Sequence, residues 1–273
     1  MSAATVATLR RDVAAIRARL APDRPVLTAP EVAARAGIVP DRWQSDLLAS
    51  EARQMILLCS RQSGKSTVTA VLAAHQAAYA PDSLILLLSP SLRQSGELFR
   101  KVREVLAALG DAAPPATETS ALRLEFANGS RVLSLPGREA TIRGFSAPSL
   151  IVEDEASRVD DALHTALRPM LATSGGRLIL LSTPWGKRGH FYETWERGGP
   201  DWHRVRVTAA DVPRIDPAWL AAERAAVPDH VFRAEYGVEF LEPDDQAFRD
   251  DDIAAAVSTD VQPLFVGGFG HAA

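Results

Sequence analysis

The chain has 273 residues, 47% of them hydrophobic and 23% charged, which is ordinary globular usage with length enough for a sizeable core and excludes a disordered or collagen-like protein. Its single cysteine, Cys59, allows no intrachain disulfide, so a reducing cytoplasm is the expected compartment. The formal net charge of -4 excludes a protein that holds nucleic acid by bulk positive charge, so any contact with DNA is expected to be local or transient.

In the first twenty residues Val6, Leu9, Val13, Ile16 and Leu20 recur at three- and four-residue steps, the pattern of an amphipathic helix that packs on its own domain or docks a partner. Arg10, Arg11, Asp12, Arg17 and Arg19 interrupt the apolar stretch that a signal peptide or membrane span requires. A short helical piece then leads to Trp43 and Gln44. From there apolar runs alternate with helical patterns: a strand at 55–59, a helix at 65–79, a strand at 84–88 and a helix at 92–109. This is the rhythm of a parallel sheet with helices on both faces.

Leu122, Leu124 and Phe126 alternate with polar residues, Asn128-Gly129 supplies a two-residue turn, and the chain returns over 132–135, which predicts a β-hairpin. A strand at 150–152, a helix at 162–171, strands at 178–182 and 203–207, and helices at 217–226 and 229–236 complete the pattern, with Asp216 and Pro228 opening the last two. The expected fold is α/β, a doubly wound and mainly parallel sheet with an added β-hairpin. Residues 40–242 form its main domain and residues 1–39 an N-terminal helical segment.

The strongest local signal is Ser60-Arg61-Gln62-Ser63-Gly64-Lys65-Ser66-Thr67, directly after an apolar strand and before a helix. There, backbone N–H groups and the positive end of the helix can surround a polyphosphate, Lys65 can reach the terminal phosphates, and the Ser66 hydroxyl can ligate Mg²⁺. The usual pattern has glycine where this chain has Cys59. A second apolar strand delivers Glu153-Asp154-Glu155 at its C-terminal end, where an open parallel sheet places its ligands. Asp154 suits the magnesium ion and Glu155 the activation of an attacking water. After the next strand, Ser182-Thr183-Pro184 is a common turn by itself, but its hydroxyls come to lie beside the carboxylate loop. The six histidines show no metal-ligand spacing, so no zinc site is expected. Arg177, Lys187, Arg188 and Arg197 are candidate DNA-backbone contacts or ordinary surface charges.

Together these residues resemble the ATPase domain of the large terminase subunit, the motor that packages DNA into tailed-phage and herpesvirus-type capsids. Trp43-Gln44 resembles the family's adenine-recognition segment, Arg61 to Ser66 its glycine-poor phosphate loop, Ile151 to Ala156 its metal and catalytic pair, and Ser182 to Gly186 its coupling motif. The resemblance implies a P-loop NTPase of the ASCE type, with the Asp154 strand inserted between the first strand and the second. ATP and Mg²⁺ are bound between Gln44, the 60–67 loop, Asp154 and Glu155, and Thr183 passes the change on to double-stranded DNA. It accounts for Cys59, since this family often lacks the first glycine and carries a basic residue inside the loop. Gln44 is either an adenine reader or an exposed glutamine. Arg61 is a candidate γ-phosphate contact in cis. Arg143 is either an arginine finger for a neighbouring subunit or one half of a salt bridge. A homo-oligomeric ring on a portal, a small terminase subunit as partner, the host cytoplasm as location and no membrane association are implied in the same way. Residues 243–273 would be a linker and the start of an RNase H-like nuclease; Gly270 stands where its metal-binding aspartate is expected, and Asp250, Asp251 and Asp252 are too local to replace it, so DNA cleavage is not expected. A helicase-like ATPase, or a truncated remnant that binds nucleotide or partners without turnover, are the alternatives.

Overall fold

The computed structural model describes residues 24–137, 142 and 144–242. The expected N-terminal helix, Arg143, and the nuclease-like segment with Asp250 to Asp252 and Gly270 lie outside the described residues.

Two helices, α1 (Ala29–Arg35) and α2 (Arg42–Ala49), precede the first strand. Then follow β1 (Gln54–Cys59), α3 (Lys65–Tyr79), β2 (Leu84–Ser89), α4 (Leu92–Leu109), β3 (Ala116–Thr119), β4 (Arg123–Phe126) and β5 (Arg131–Pro136). The second half runs through β6 (Leu150–Asp154), α5 (Asp161–Leu171), β7 (Arg177–Ser182), α6 (Gly189–Arg197), β8 (Trp202–Val207), α7 (Pro217–Ala226) and α8 (Asp229–Glu235). The expected α/β architecture is present. The sequence pattern misses α2, α6 and β3, the two helices being only eight and nine residues long and the strand four residues and fully exposed.

The strands form one sheet in the order β3-β4-β5-β2-β6-β7-β1-β8. From β5 to β8 every neighbour is parallel, while β3 and β4 join antiparallel at the edge. The Asp154 strand β6 therefore does lie between β1 and β2, and β7 is inserted with it, directly beside β1. The hairpin turn holds three residues rather than the expected two. Phe126 N–H donates to Ser130 O at 3.0 Å and Gly129 N–H to Phe126 O at 2.8 Å. Gly129 at φ 84° takes the left-handed position that closes such a loop.

Alternation along the buried strands builds two cores. Met55, Leu57, Ile85, Leu87, Val152, Ile179 and Leu181 face α1, α3 and α4. Ile56, Leu58, Leu86, Leu88, Ile151, Leu178 and Leu180 face the other way, onto Leu163 and Leu167 of α5 and Phe191 of α6. Helix α3 approaches its face through Ala70, Ala73, Ala74 and Ala77, all fully buried, so small side chains bring its N-terminus close to the strand ends.

Two glycines test this packing. A Cβ at Gly176 would lie 2.2 Å from Pro148 O, whereas one at Gly96 in α4 meets nothing within 4 Å. Gly176→Ala is expected to lower stability by about 1–3 kcal/mol and Gly96→Ala to raise it by about 0.5–1 kcal/mol. Urea unfolding of the two variants checks both signs.

Candidate functional site

Strand β1 runs apolar to Cys59, whose burial pushes its thiol up to about 12, so the residue replacing the usual glycine is an inert core side chain. Ser60 N–H donates to Val207 O of β8 at 2.9 Å. Gln62 at φ 57° and Gly64 at φ 89° then turn the loop through left-handed backbone into α3. The left-handed backbone at φ 89° favours glycine at 64, and a Cβ there would also lie 2.5 Å from Gln44 Nε2 and displace that side chain. The N–H groups of Lys65 and Ser66, the first of α3, have no backbone partner among the described residues and lie at its positive end, while Thr67 N–H donates to Gly64 O at 3.0 Å.

The β6 carboxylates reach this loop from one strand over. Ser66 Oγ is 3.4 Å from Asp154 Oδ2, and Lys65 Nζ is 3.5 Å from Glu155 Oε1. Glu155 sits in the left-handed region at φ 52°, which lifts its carboxylate off the sheet towards Lys65. Its other oxygen accepts from Arg158 Nη1 at 3.2 Å. The Arg158 guanidinium lies 4.4 Å from the centre of the Trp185 ring, a stacking contact that links the carboxylates to the segment after β7. At that strand end Ser182 Oγ lies 2.7 Å from Ser157 Oγ. Thr183 Oγ1 is buried without a hydrogen-bond partner, a free hydroxyl beside the carboxylate loop.

A cleft of about 470 Å³ opens over the loop, lined by Gln62, Gly64, Lys65, Ser66, Thr67 and Gln44 together with Lys101 and Arg214. A larger hollow of about 810 Å³ near Arg35, Leu106 and Phe126 shares none of these residues. Gln44 is 4% exposed, which corrects the reading of it as a surface glutamine. Its Oε1 accepts from Asp41 N–H at 2.9 Å in the capping box of α2, and its Nε2 donates to Ser63 O at 3.3 Å. Arg214 donates to the same Ser63 oxygen at 3.1 Å and pairs with Asp41 at 2.6 Å. No sequence motif marked Arg214, which reaches the loop from more than 150 residues downstream, nor Arg158 and Lys101.

Two expected placements change. Arg61 points out of the cleft: its Nε lies 2.5 Å from Glu235 Oε2 of α8, and this pairing holds its pKa up. Arg177 is no DNA contact, since its guanidinium donates to Ala52 O at 3.1 Å and Ser50 O at 3.0 Å, tying β7 to the end of α2. Lys187 pairs with Glu242 at 3.2 Å, and Arg197 pairs with Glu193 at 3.1 Å.

Burial, and after it the charge of Glu155, push the Asp154 carboxyl up to about 6 against the opposing pull of Lys65. A carboxyl whose folded pKa lies above its unfolded value destabilises the fold when ionised. That cost is full above pH 6 and is withdrawn as pH falls towards 4. Asp154→Asn is therefore expected to stabilise the nucleotide-free chain by on the order of 1 kcal/mol at about pH 8, with the gain vanishing near pH 4. Thermal melts of both proteins across that range check it, and equal midpoints at the alkaline end would refute the assignment.

A hard hydroxyl oxygen and a carboxylate oxygen facing each other, beside a lysine and a row of helix N-terminal donors, fit a magnesium polyphosphate. Residues 56–255 match the family model of the terminase large subunit, T4-like-virus type, N-terminal. The terminase large subunit of Thermus virus P23-45 is 29% identical over 249 residues, covering 78% of this chain and 51% of that protein. The chain thus spans about half the length of the curated relatives it matches. Among solved structures, the ATPase domain of the Thermus phage P74-26 large terminase aligns with a TM-score of 0.69 at 25% identity, over 77% of this chain and 97% of that one. The large terminase of another thermophilic bacteriophage, solved in complex with ADP, shares the fold, with a TM-score of 0.61 at 11% identity over 74% of this chain and 54% of that one. With its strand order, its phosphate loop and its carboxylate strand accounted for, the chain belongs to the terminase large subunit family.

Proposed function

We propose that this chain hydrolyses ATP to drive double-stranded DNA into a viral capsid, as the ATPase portion of a packaging motor. The observation that supports this most directly is the meeting of Lys65, Ser66, Asp154 and Glu155 at one end of the sheet, with Thr183 immediately after the strand between them. The loop residues Ser60, Arg61, Gln62, Ser63, Gly64, Lys65, Ser66 and Thr67 are assigned to the phosphates. Gln44 and Arg214 hold the loop through Ser63 O, leaving one Gln44 amide hydrogen for a base.

Ser66 and Asp154 are the residues that would hold Mg²⁺, which when bound neutralises charge on the phosphate oxygens. Lys65 and Glu155 neutralise each other in the nucleotide-free chain. A polyphosphate competes for Lys65, and its departure frees Glu155 Oε1 to orient water and accept its proton. Arg158, bonded to the other Glu155 oxygen and stacked on Trp185, carries that change to the Ser182–Gly186 segment together with Thr183. For Arg61 to reach the γ-phosphate it must leave Glu235. Arg143 is kept as the candidate finger in trans, within a homo-oligomeric ring that docks on a portal and works with a small terminase subunit in the host cytoplasm. Among the described residues no helix is long and apolar enough to cross a membrane.

Glu155→Ala is expected to keep nucleotide binding while turnover falls by about 10²–10⁴-fold, and Lys65→Ala to weaken both. Nucleotide-binding titration beside a phosphate-release assay separates these outcomes, and full turnover in Glu155→Ala would sink the role given to that carboxylate. Double-stranded DNA is expected to stimulate wild-type turnover. No turnover with or without DNA would instead favour a binding-only remnant, and stimulation that is indifferent to a capsid portal a helicase-like enzyme.

A further inference from the structure

The alternation that turns Asp154 towards α3 turns Glu153 to the opposite face of the sheet, between α5 and α6. Its carboxylate is wholly shielded from solvent, and two imidazoles meet it there. His190 Nε2 lies 2.7 Å from Glu153 Oε1, and His164 Nδ1 lies 3.3 Å from Oε2. Oε1 and Nε2 make no well-aligned hydrogen bond despite their closeness, although the two groups attract each other electrostatically. Asp161 Oδ1 takes the other ring nitrogen of His190 at 3.1 Å and its backbone N–H at 2.7 Å. One atom each from Glu153, His164 and His190 lie within 4.8 Å of one another.

We propose that Glu153, His164 and His190 form a buried site for a divalent transition-metal ion of the zinc class, with Asp161 as the carboxylate that orients His190. Two imidazoles and one carboxylate are a borderline N/O donor set that suits zinc or cobalt and not the all-oxygen shells of magnesium or calcium. Ligands at about 2.0–2.2 Å around a tetrahedral ion stand roughly 3.3 Å from one another; here the imidazoles meet different oxygens of Glu153, at 2.7 and 3.3 Å, and one ligand atom from each residue falls within 4.8 Å of the others, so the three draw together on uptake. A buried carboxylate requires compensating donors or positive charge, which the two imidazoles supply in the metal-free chain and a bound ion supplies more fully. A carboxylate behind a ligating histidine, as Asp161 stands behind His190, is the usual support of such a ligand.

The two rings are stacked, with centroids 4.2 Å apart and planes 13° from parallel. An ion lies in the plane of each imidazole that binds it, so uptake turns one ring about its Cβ–Cγ bond. Asp161 fixes His190 at ring and backbone, which makes His164 the ring that turns. The ion would then fasten β6, immediately before Asp154 and Glu155, to α5 and to the helix that follows the Ser182–Gly186 segment. This site does not depend on the ATPase reading and is testable without nucleotide.

The full chain is stripped with a chelator, titrated with Zn²⁺ or Co²⁺, dialysed and analysed for metal. The expected result is about one retained equivalent per chain, visible Co²⁺ bands of tetrahedral type, and a thermal midpoint raised by Zn²⁺ but not by Mg²⁺. Bands and retained metal are lost in His164→Ala and His190→Ala, kept in Asp154→Asn, and weakened about 10–100-fold in affinity in Asp161→Asn. A wild-type chain that retains no metal and shows no Co²⁺ bands would overturn the proposal, whether or not the variants fold. So would binding that survives in both histidine variants.

Discussion

A strand in a sheet presents successive side chains to opposite faces, and at the end of β6 that rule sets the chemistry of the whole molecule. Val152 and Asp154 go to the α3 side; Ile151 and Glu153 go to the α5 and α6 side. Two adjacent carboxylates thus serve two environments. Asp154 meets Ser66 at the foot of α3, while Glu153 meets a pair of imidazoles. Glu155 belongs to neither strand face, because its left-handed backbone at φ 52° takes it out of the alternation and aims it at Lys65. A one-residue slip of β6 against β7, in which Asp154 now stands opposite Leu181, would exchange every one of these partners.

The site is held by charges that restrain one another. Lys65 faces Glu155, Glu155 faces Arg158, and Arg158 lies on Trp185. The line runs from the phosphate loop through the carboxylates to the segment after β7, the direction in which a change at the nucleotide would have to travel. Asp154 sits in this line at a cost, its carboxyl raised to about 6 by burial and by its neighbour. A site that is uncomfortable without its ligand is expected where function rather than stability selects the residues.

The phosphate loop is also gripped from far along the chain. Arg214 and Gln44 converge on Ser63 O, and Glu235 takes both the side chain and the backbone N–H of Arg61. Asp41 joins the first two, accepting from Arg214 and donating its N–H to Gln44. Such contacts tie the cleft over the 60–67 loop to helices early and late in the described chain, so movement of α8 is mechanically connected to the loop that Arg61 occupies.

Neighbouring residues suffice to write the order of most helices and strands, the strand–loop–helix at Ser60 to Thr67 and the carboxylates after β6. The signals are apolar runs of strand length, a Gly-Lys-Ser before a helical pattern, and Asp154 and Glu155 at a strand end. Contacts between residues far apart in the chain came from folding alone. Folding made Gln44 a buried brace, sent Arg61 to Glu235 and Arg177 to the carbonyls of Ser50 and Ala52, and brought in Arg158, Lys101 and Arg214. It also assembled Glu153, His164 and His190, whose spacing in sequence resembles no metal motif. The physical reason is that local pattern encodes which backbone an element adopts and which face it buries, whereas side-chain pairing is settled by strand order and helix docking, which join residues with no shared periodicity.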